Sequence, residues 1–215
     1  MYKTILFDLD GTLTDPAVGI TNSVAYSLKR YGIEVENKND LLNFIGPPLA
    51  DSYMKYYGFS ETEAYKAVDV YREYFKDIGI FENKVYDGVE DLLKLLKENG
   101  KTIILATSKP EVFAKRILEH FNLAKYFDYC VGSNLDGTRC QKKLVVAHAL
   151  KISNTDELKT TVMVGDREHD IIGGKQNGLE TIGVLYGYGS KDELTLAGAT
   201  HIAKTVDDLK NMLIG

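Results

Sequence analysis

The feature that most constrains this chain is its opening run, Ile5-Leu6-Phe7-Asp8-Leu9-Asp10-Gly11-Thr12-Leu13-Thr14. Thr4 to Phe7 is short, apolar and partly β-branched, the pattern of a strand buried on both faces of a parallel sheet. Gly11 breaks the strand and permits a sharp turn. Asp8 and Asp10 stand two apart, so continued extended backbone would send both side chains off the strand's C-terminal tip on one side. In open α/β sheets, ligands bind at that tip. Two carboxylates so close repel each other unless a cation or a shared proton intervenes. Mg²⁺ suits a sparse carboxylate site that also takes phosphate, and an Asp carboxylate can itself form an aspartyl-phosphate. The competing reading is a strand ending in an Asx turn, with Asp10 bonded to backbone near Gly11.

After Thr14 the periodicity becomes helical. Ile20, Val24, Leu28 and Tyr31 form one helix face, and Ala64, Val68, Tyr71, Phe75 and Ile78 form another. Between them Leu49 to Tyr57 reads as a shorter helix, with Pro47-Pro48 before it and Gly58 after it. From Val89 onward, helical stripes alternate with apolar strands at Thr102 to Ala106, Tyr129 to Val131, Thr161 to Val164, Thr181 to Leu185 and His201 to Ala203. Pro110 is expected to open one of the intervening helices. Such alternation predicts an α/β fold, a doubly wound parallel sheet covered on both faces. The expected division is a core of 1–14 and 82–215 with an all-helical insertion of 15–81.

The chain has 215 residues and a net charge of -5, which argues against a nucleic-acid or anionic-membrane surface. No apolar run approaches the roughly 20 residues of a membrane span, and no basic, apolar leader opens the chain. A cytoplasmic location is therefore expected. The two cysteines, Cys130 and Cys140, are read as reduced thiols of a cytosolic protein rather than a disulfide, and metal ligation by them is not expected, since their spacing fits no zinc pattern.

Three further clusters carry chemistry. Thr107 and Ser108 follow an apolar strand and precede Pro110, where hydroxyls and backbone N–H groups suit an anion; an ordinary helix cap is the alternative. Lys142 and Lys143 precede an apolar helix and could neutralise a carboxylate and an incoming anion, or simply face solvent. Gly165-Asp166-Arg167-Glu168-His169-Asp170 repeats the opening logic at another strand end. Asp166 and Asp170, four apart on a starting helix, would face one side. Two acidic clusters at strand ends of one sheet are what a Mg²⁺ site needs.

Asp8-Leu9-Asp10-Gly11-Thr12 resembles the first signature of the haloacid dehalogenase-like hydrolases. Thr107 resembles the second, with Ser108-Lys109-Pro110 in the form seen in phosphoglycolate phosphatase-like members. Lys142 is placed as the third, although Lys143 stands where proline is common, and Gly165-Asp166 with Asp170 resembles the fourth. The resemblance implies a core of this family with an inserted helical cap that closes over it. It further implies a Mg²⁺-dependent phosphatase acting on a small phosphorylated metabolite, most like phosphoglycolate phosphatase. A 5′-nucleotidase and a β-phosphoglucomutase-like phosphotransferase are the alternatives. Asp8 would be the nucleophile and Asp10 the general acid and base. Asp8, Asp10 (through its backbone carbonyl), Asp166 and Asp170 would hold or support the metal, and Thr107, Ser108 and Lys142 the phosphate. The turn at Gly46 and Pro47 would read the substrate, and Gly187-Tyr188-Gly189 is expected as a flexible loop at the same sheet edge. No nucleic acid or membrane is expected as partner, and the assembly is expected to be a monomer or homodimer.

Overall fold

The computed structural model describes residues 1–215, which divide into two compact units, Met1–Asp15 with Val85–Gly215, and Pro16–Lys84. The boundaries fall at 15/16 and 84/85, a few residues from the sequence-based division. The first crossing directly follows the short strand β2 (Thr14–Asp15) and the second falls within β3 (Lys84–Val85), so the second crossing comes three residues later than the helical pattern suggested.

The first unit is built on six strands: β1 (Thr4–Phe7), β4 (Thr102–Pro110), β5 (Tyr129–Ser133), β6 (Thr161–Gly165), β7 (Glu180–Val184) and β8 (His201–Ala203). Their order is β5-β4-β1-β6-β7-β8, and every pairing is parallel. The chain works outward from β1 to β5, then returns to the other side of β1. The order therefore reverses beside β1, and a crevice opens at the strands' carboxyl ends there. Register fixes what lines it: Phe7 lies opposite Leu105 on one side and Val164 on the other.

Helices α4 (Val89–Glu98), α5 (Glu111–His120), α6 (Lys142–Ile152), α7 (Glu168–Gln176), α8 (Lys191–Leu196) and α9 (Val206–Ile214) complete this unit. The alternation of side chains along β1 puts Leu6 on one face, where it packs with Ile104, Ala106, Val131 and Met163 under Val145, Val146 and Ala149 of α6. Asp8 shares the parity of Leu6 and so continues along the face that α6 covers. The stripe Val89, Leu92, Leu93 and Leu96 of α4 is buried throughout, each such side chain contributing about 1.5–3 kcal/mol.

The second unit contains α1 (Ala17–Arg30), a 3₁₀ segment at Lys38–Phe44, α2 (Leu49–Tyr57), α3 (Glu61–Tyr74) and a π-helical turn at Phe75–Gly79. Ser60 and Glu63 form a capping box at the start of α3. The Ser27 hydroxyl ties α1 to α3 by donating to the Ala67 carbonyl at 2.7 Å. Two residues of the expected stripes do not join the core. Tyr31 caps α1 and is exposed, because the helix ends at Arg30. Ile78 is 52% exposed, because the wider π turn rotates it away from the 3.6-residue stripe.

Candidate active site

The tips of β1, β4 and β6 bring together residues far apart in the chain. The Asp8 N–H continues the ladder by donating to the Val164 carbonyl at 2.9 Å. Beyond it Gly11 takes φ +82, and a Cβ there would lie 2.2 Å from an Asp166 oxygen. Only glycine lets this turn press against Asp166. Asp8, Asp166 and Asp170 offer oxygens that all lie within 4.8 Å of one another, and all three side chains are buried.

Lys142, the first residue of α6, stands among them. Its Nζ lies 2.8 Å from Asp8 Oδ1 and 2.7 Å from Asp170 Oδ1, and it donates to the Ala106 carbonyl at 3.1 Å. Lys143, the next residue, is exposed. Asp170 occupies the third position of α7 and accepts from the Arg167 N–H at 3.1 Å. Asp166 lies before that helix rather than on it, so the two acids converge through a loop and a cap, not through an i,i+4 helix face. Asp166 is fully buried, and its oxygens accept from the Tyr188 N–H at 2.8 Å and the Thr12 hydroxyl at 3.4 Å. His169 is half-buried.

Asp8 and Asp10 do not share a partner. The strand ends at Phe7, and Asp10 turns to Lys109 in a buried ion pair. Its other oxygen, Oδ1, is buried and accepts no hydrogen bond. Lys109 is a functional candidate that sequence reasoning passed over. The available signal was its place two residues after Thr107, on the same side of an extended segment. Strand β4 runs on to Pro110, so Thr107 and Ser108 lie on the strand and α5 begins only at Glu111. The residue before a proline favours extended backbone, which carries the strand through Lys109. Thr107 is buried and accepts from the Lys109 N–H at 3.2 Å, while Ser108 is half-buried. Gly46 and Pro47 belong to the helical unit, in the half-buried link before α2, where Gly46 takes φ +104.

The electrostatics of this cluster are unbalanced. Burial pushes Asp166 well above the usual carboxylate range, and Asp170 beside it adds to the effect. Burial also raises Asp170 against the pull of Lys142. Asp10 is raised by burial, opposed by Lys109. Burial alone would lower Lys142, but Asp170 and Asp8 outweigh it and push the ammonium upward. Lys109 pairs with Asp10, and three buried carboxyl groups converge on the single ammonium of Lys142. Arg167 is drawn aside to Glu193, with 2.8 Å between them. An all-oxygen set of this kind could hold a hard divalent cation such as Mg²⁺, beside the Lys142 ammonium that already pairs with Oδ1 of Asp8 and of Asp170.

A doubly wound parallel sheet with a buried cluster of acids and one lysine at its switch point defines the class of this α/β protein. The chain belongs to the haloacid dehalogenase-like hydrolase family, whose model matches residues 5–184. It is 46% identical to a 5′-nucleotidase of Pseudomonas aeruginosa over 99% of this chain and 96% of that one. It is 37% identical to the tyrosine-protein kinase PtkA of Mycobacterium tuberculosis, over 98% of this chain and 72% of that one. Among solved structures, a predicted phosphatase from Clostridium acetobutylicum superimposes with a TM-score of 0.97 at 52% identity, covering 100% of this chain and 99% of that one. No helix is long and apolar enough to cross a membrane.

Proposed function

We propose that this protein is a Mg²⁺-dependent phosphatase that hydrolyses small phosphate monoesters through an aspartyl-phosphate on Asp8. The observation that carries the reading is the buried set of Asp8, Asp166 and Asp170 against one lysine, Lys142. Asp8, Asp166 and Asp170 would hold the ion, with the Asp10 backbone carbonyl as a further ligand. When bound, Mg²⁺ supplies positive charge against the phosphoryl oxygens and the carboxylates.

The remaining steps fall to the chain's own groups. A phosphate monoester and the Asp8 carboxylate repel each other, and Lys142 reduces that repulsion in a site shielded from water. The Asp8 carboxylate attacks phosphorus as the ester P–O bond breaks. Asp10, held by Lys109 through Oδ2, uses Oδ1 to protonate the departing alcohol. It then takes a proton from the water that attacks the aspartyl-phosphate, which releases inorganic phosphate and restores Asp8. Thr107 and Ser108 orient phosphate oxygens, and the Gly46-Pro47 turn contributes to substrate choice.

The 46% identity to a protein named a 5′-nucleotidase puts nucleoside 5′-monophosphates first among candidate substrates, with phosphoglycolate next. Phosphate release from a panel of both, with Mg²⁺ and with EDTA, tests the reading. Release that requires the metal and favours one ester is expected; no release from any ester with Mg²⁺ overturns it. Transfer to an acceptor other than water is a second reading, supported by the 37% identity to a protein named a tyrosine kinase. In that case an acceptor hydroxyl takes the place of water at the aspartyl-phosphate. Phosphorylated acceptor in place of free phosphate would identify it.

A further inference from the structure

The segment that follows β7, Leu185 to Ser190, is pressed against Asp166 and the Gly11 turn. The Tyr188 N–H donates to Asp166 Oδ2 at 2.8 Å. A Cβ on Gly187 would lie 2.3 Å from the Gly11 carbonyl and 2.4 Å from Asp166 Cβ, and one on Gly189 would lie 1.9 Å from the Asp166 carbonyl. Two tyrosine hydroxyls then reach back to the loop that follows Asp8. Tyr186 donates to the Thr12 carbonyl at 3.1 Å, and Tyr188 to the Asp15 carboxylate. The Tyr186 ring packs edge-on against Tyr86, 5.2 Å between centroids, and the Tyr86 N–H donates to the Leu13 carbonyl at 3.1 Å. The expectation of a flexible loop is thus replaced by a strap closed over Asp166. Its bareness at 187 and 189 is what lets the backbone come so near.

We propose that this strap is a positioning element for the cation site, in which Gly187 and Tyr188 set the direction of the Asp166 carboxylate. The inference rests on the reading that Asp8, Asp166 and Asp170 hold a divalent cation. A carboxylate has two oxygens and free rotation about its terminal bond. The Tyr188 N–H removes that freedom by engaging one oxygen before any ion arrives. The Tyr188 hydroxyl, bonded to Asp15, keeps the donor in place. Asp15 closes the loop that starts at Asp8, so the same contact holds the first and fourth acidic segments in register. Groups that orient a ligand in this way are typically worth about 10–100-fold in metal affinity. Tyr188 and Gly187 touch no reacting atom in this scheme and act only through Asp166.

The test is Mg²⁺ binding to the full chain stripped with EDTA, measured by titration calorimetry without substrate for wild type, Tyr188→Phe, Gly187→Ala and Asp166→Asn. Wild type is expected to bind and Asp166→Asn to lose binding. Tyr188→Phe is expected to weaken binding about tenfold, with Gly187→Ala weaker still. In turnover, Tyr188→Phe should lower kcat at fixed low Mg²⁺, recover at high Mg²⁺ and leave the KM for the ester near wild type. A strap that merely stabilised the fold would lower the melting temperature in EDTA and leave the Mg²⁺ affinity of Tyr188→Phe unchanged; that result overturns the proposal even if Gly187→Ala fails to fold. Absence of Mg²⁺ binding in wild type would instead overturn the cation reading itself, and the strap's role with it.

Discussion

Lys142 Nζ lies 2.8 Å from Asp8 Oδ1 and 2.7 Å from Asp170 Oδ1, with all three side chains buried. One ammonium thus bridges an acid that ends the first strand and an acid that starts α7, joining residues 162 positions apart through a third element. Removing one partner of a buried ion pair leaves uncompensated charge and costs about 3–5 kcal/mol. Lys142→Met is therefore expected to lose stability on that scale in urea unfolding at neutral pH, with phosphate release reduced at least about 10²-fold. Lys143→Met, at an exposed position, should match wild type in both measurements.

Asp8→Asn is expected to abolish turnover, because an amide does not attack phosphorus and no aspartyl-phosphate forms. Asp10→Asn should slow both the formation and the hydrolysis of the intermediate by about 10²–10⁴-fold. Stopped-flow phosphate release with a dye-linked ester separates the two steps, and circular dichroism checks the fold. Full activity in either variant refutes the role assigned to that residue.

Asp166 is fully buried beside two other acids, and burial raises its carboxyl well above the usual range. A carboxyl raised in the folded state lowers stability at neutral pH, and an amide there removes that cost. Asp166→Asn is thus expected to melt higher than wild type in EDTA. In excess Mg²⁺ the order should reverse, since binding stabilises only the form that binds. Thermal melts of both proteins under both conditions give the answer, and a variant less stable than wild type in EDTA contradicts the charge argument.

Cys130, a half-buried thiol on β5, tests a position away from the acids. Burial, with Glu111 adding to it, pushes its thiol up to about 11. The thiolate is the reactive form, so at pH 8 only about a thousandth of Cys130 is reactive. Labelling of the native protein by a maleimide at this position, followed by peptide mass spectrometry, should be slow at pH 8 and rise steeply as pH approaches 11. Rapid labelling at pH 8 would show that the thiol is not raised in this way.

Much of the architecture was legible because its signals are local. The strand at Thr4–Phe7, the turn at Gly11 and the stripe of α4 each follow from residues within one short window. The resemblance ordered those windows into a family, and the family model bears that out. The errors were also local in origin. A π turn carries Ile78 out of a stripe drawn for a regular helix, and β4 continues through a motif whose proline suggested a helix start.

The sequence by itself determined which residues carry charge and which segments deliver them to strand ends, because side-chain periodicity and turn chemistry act over a few neighbours. Only the tertiary structure decided which charges meet. Parallel pairing brings the tips of β1, β4 and β6 side by side, and there α6 sets Lys142 rather than Lys143 against Asp8, Asp10 turns toward Lys109, and the segment after β7 lays Tyr188 over Asp166. The pairings of Asp8 with Lys142 and of Asp10 with Lys109 span roughly a hundred residues or more, and that of Tyr188 with Asp166 spans 22; their geometry is settled by packing between elements, a condition that no short window of sequence contains.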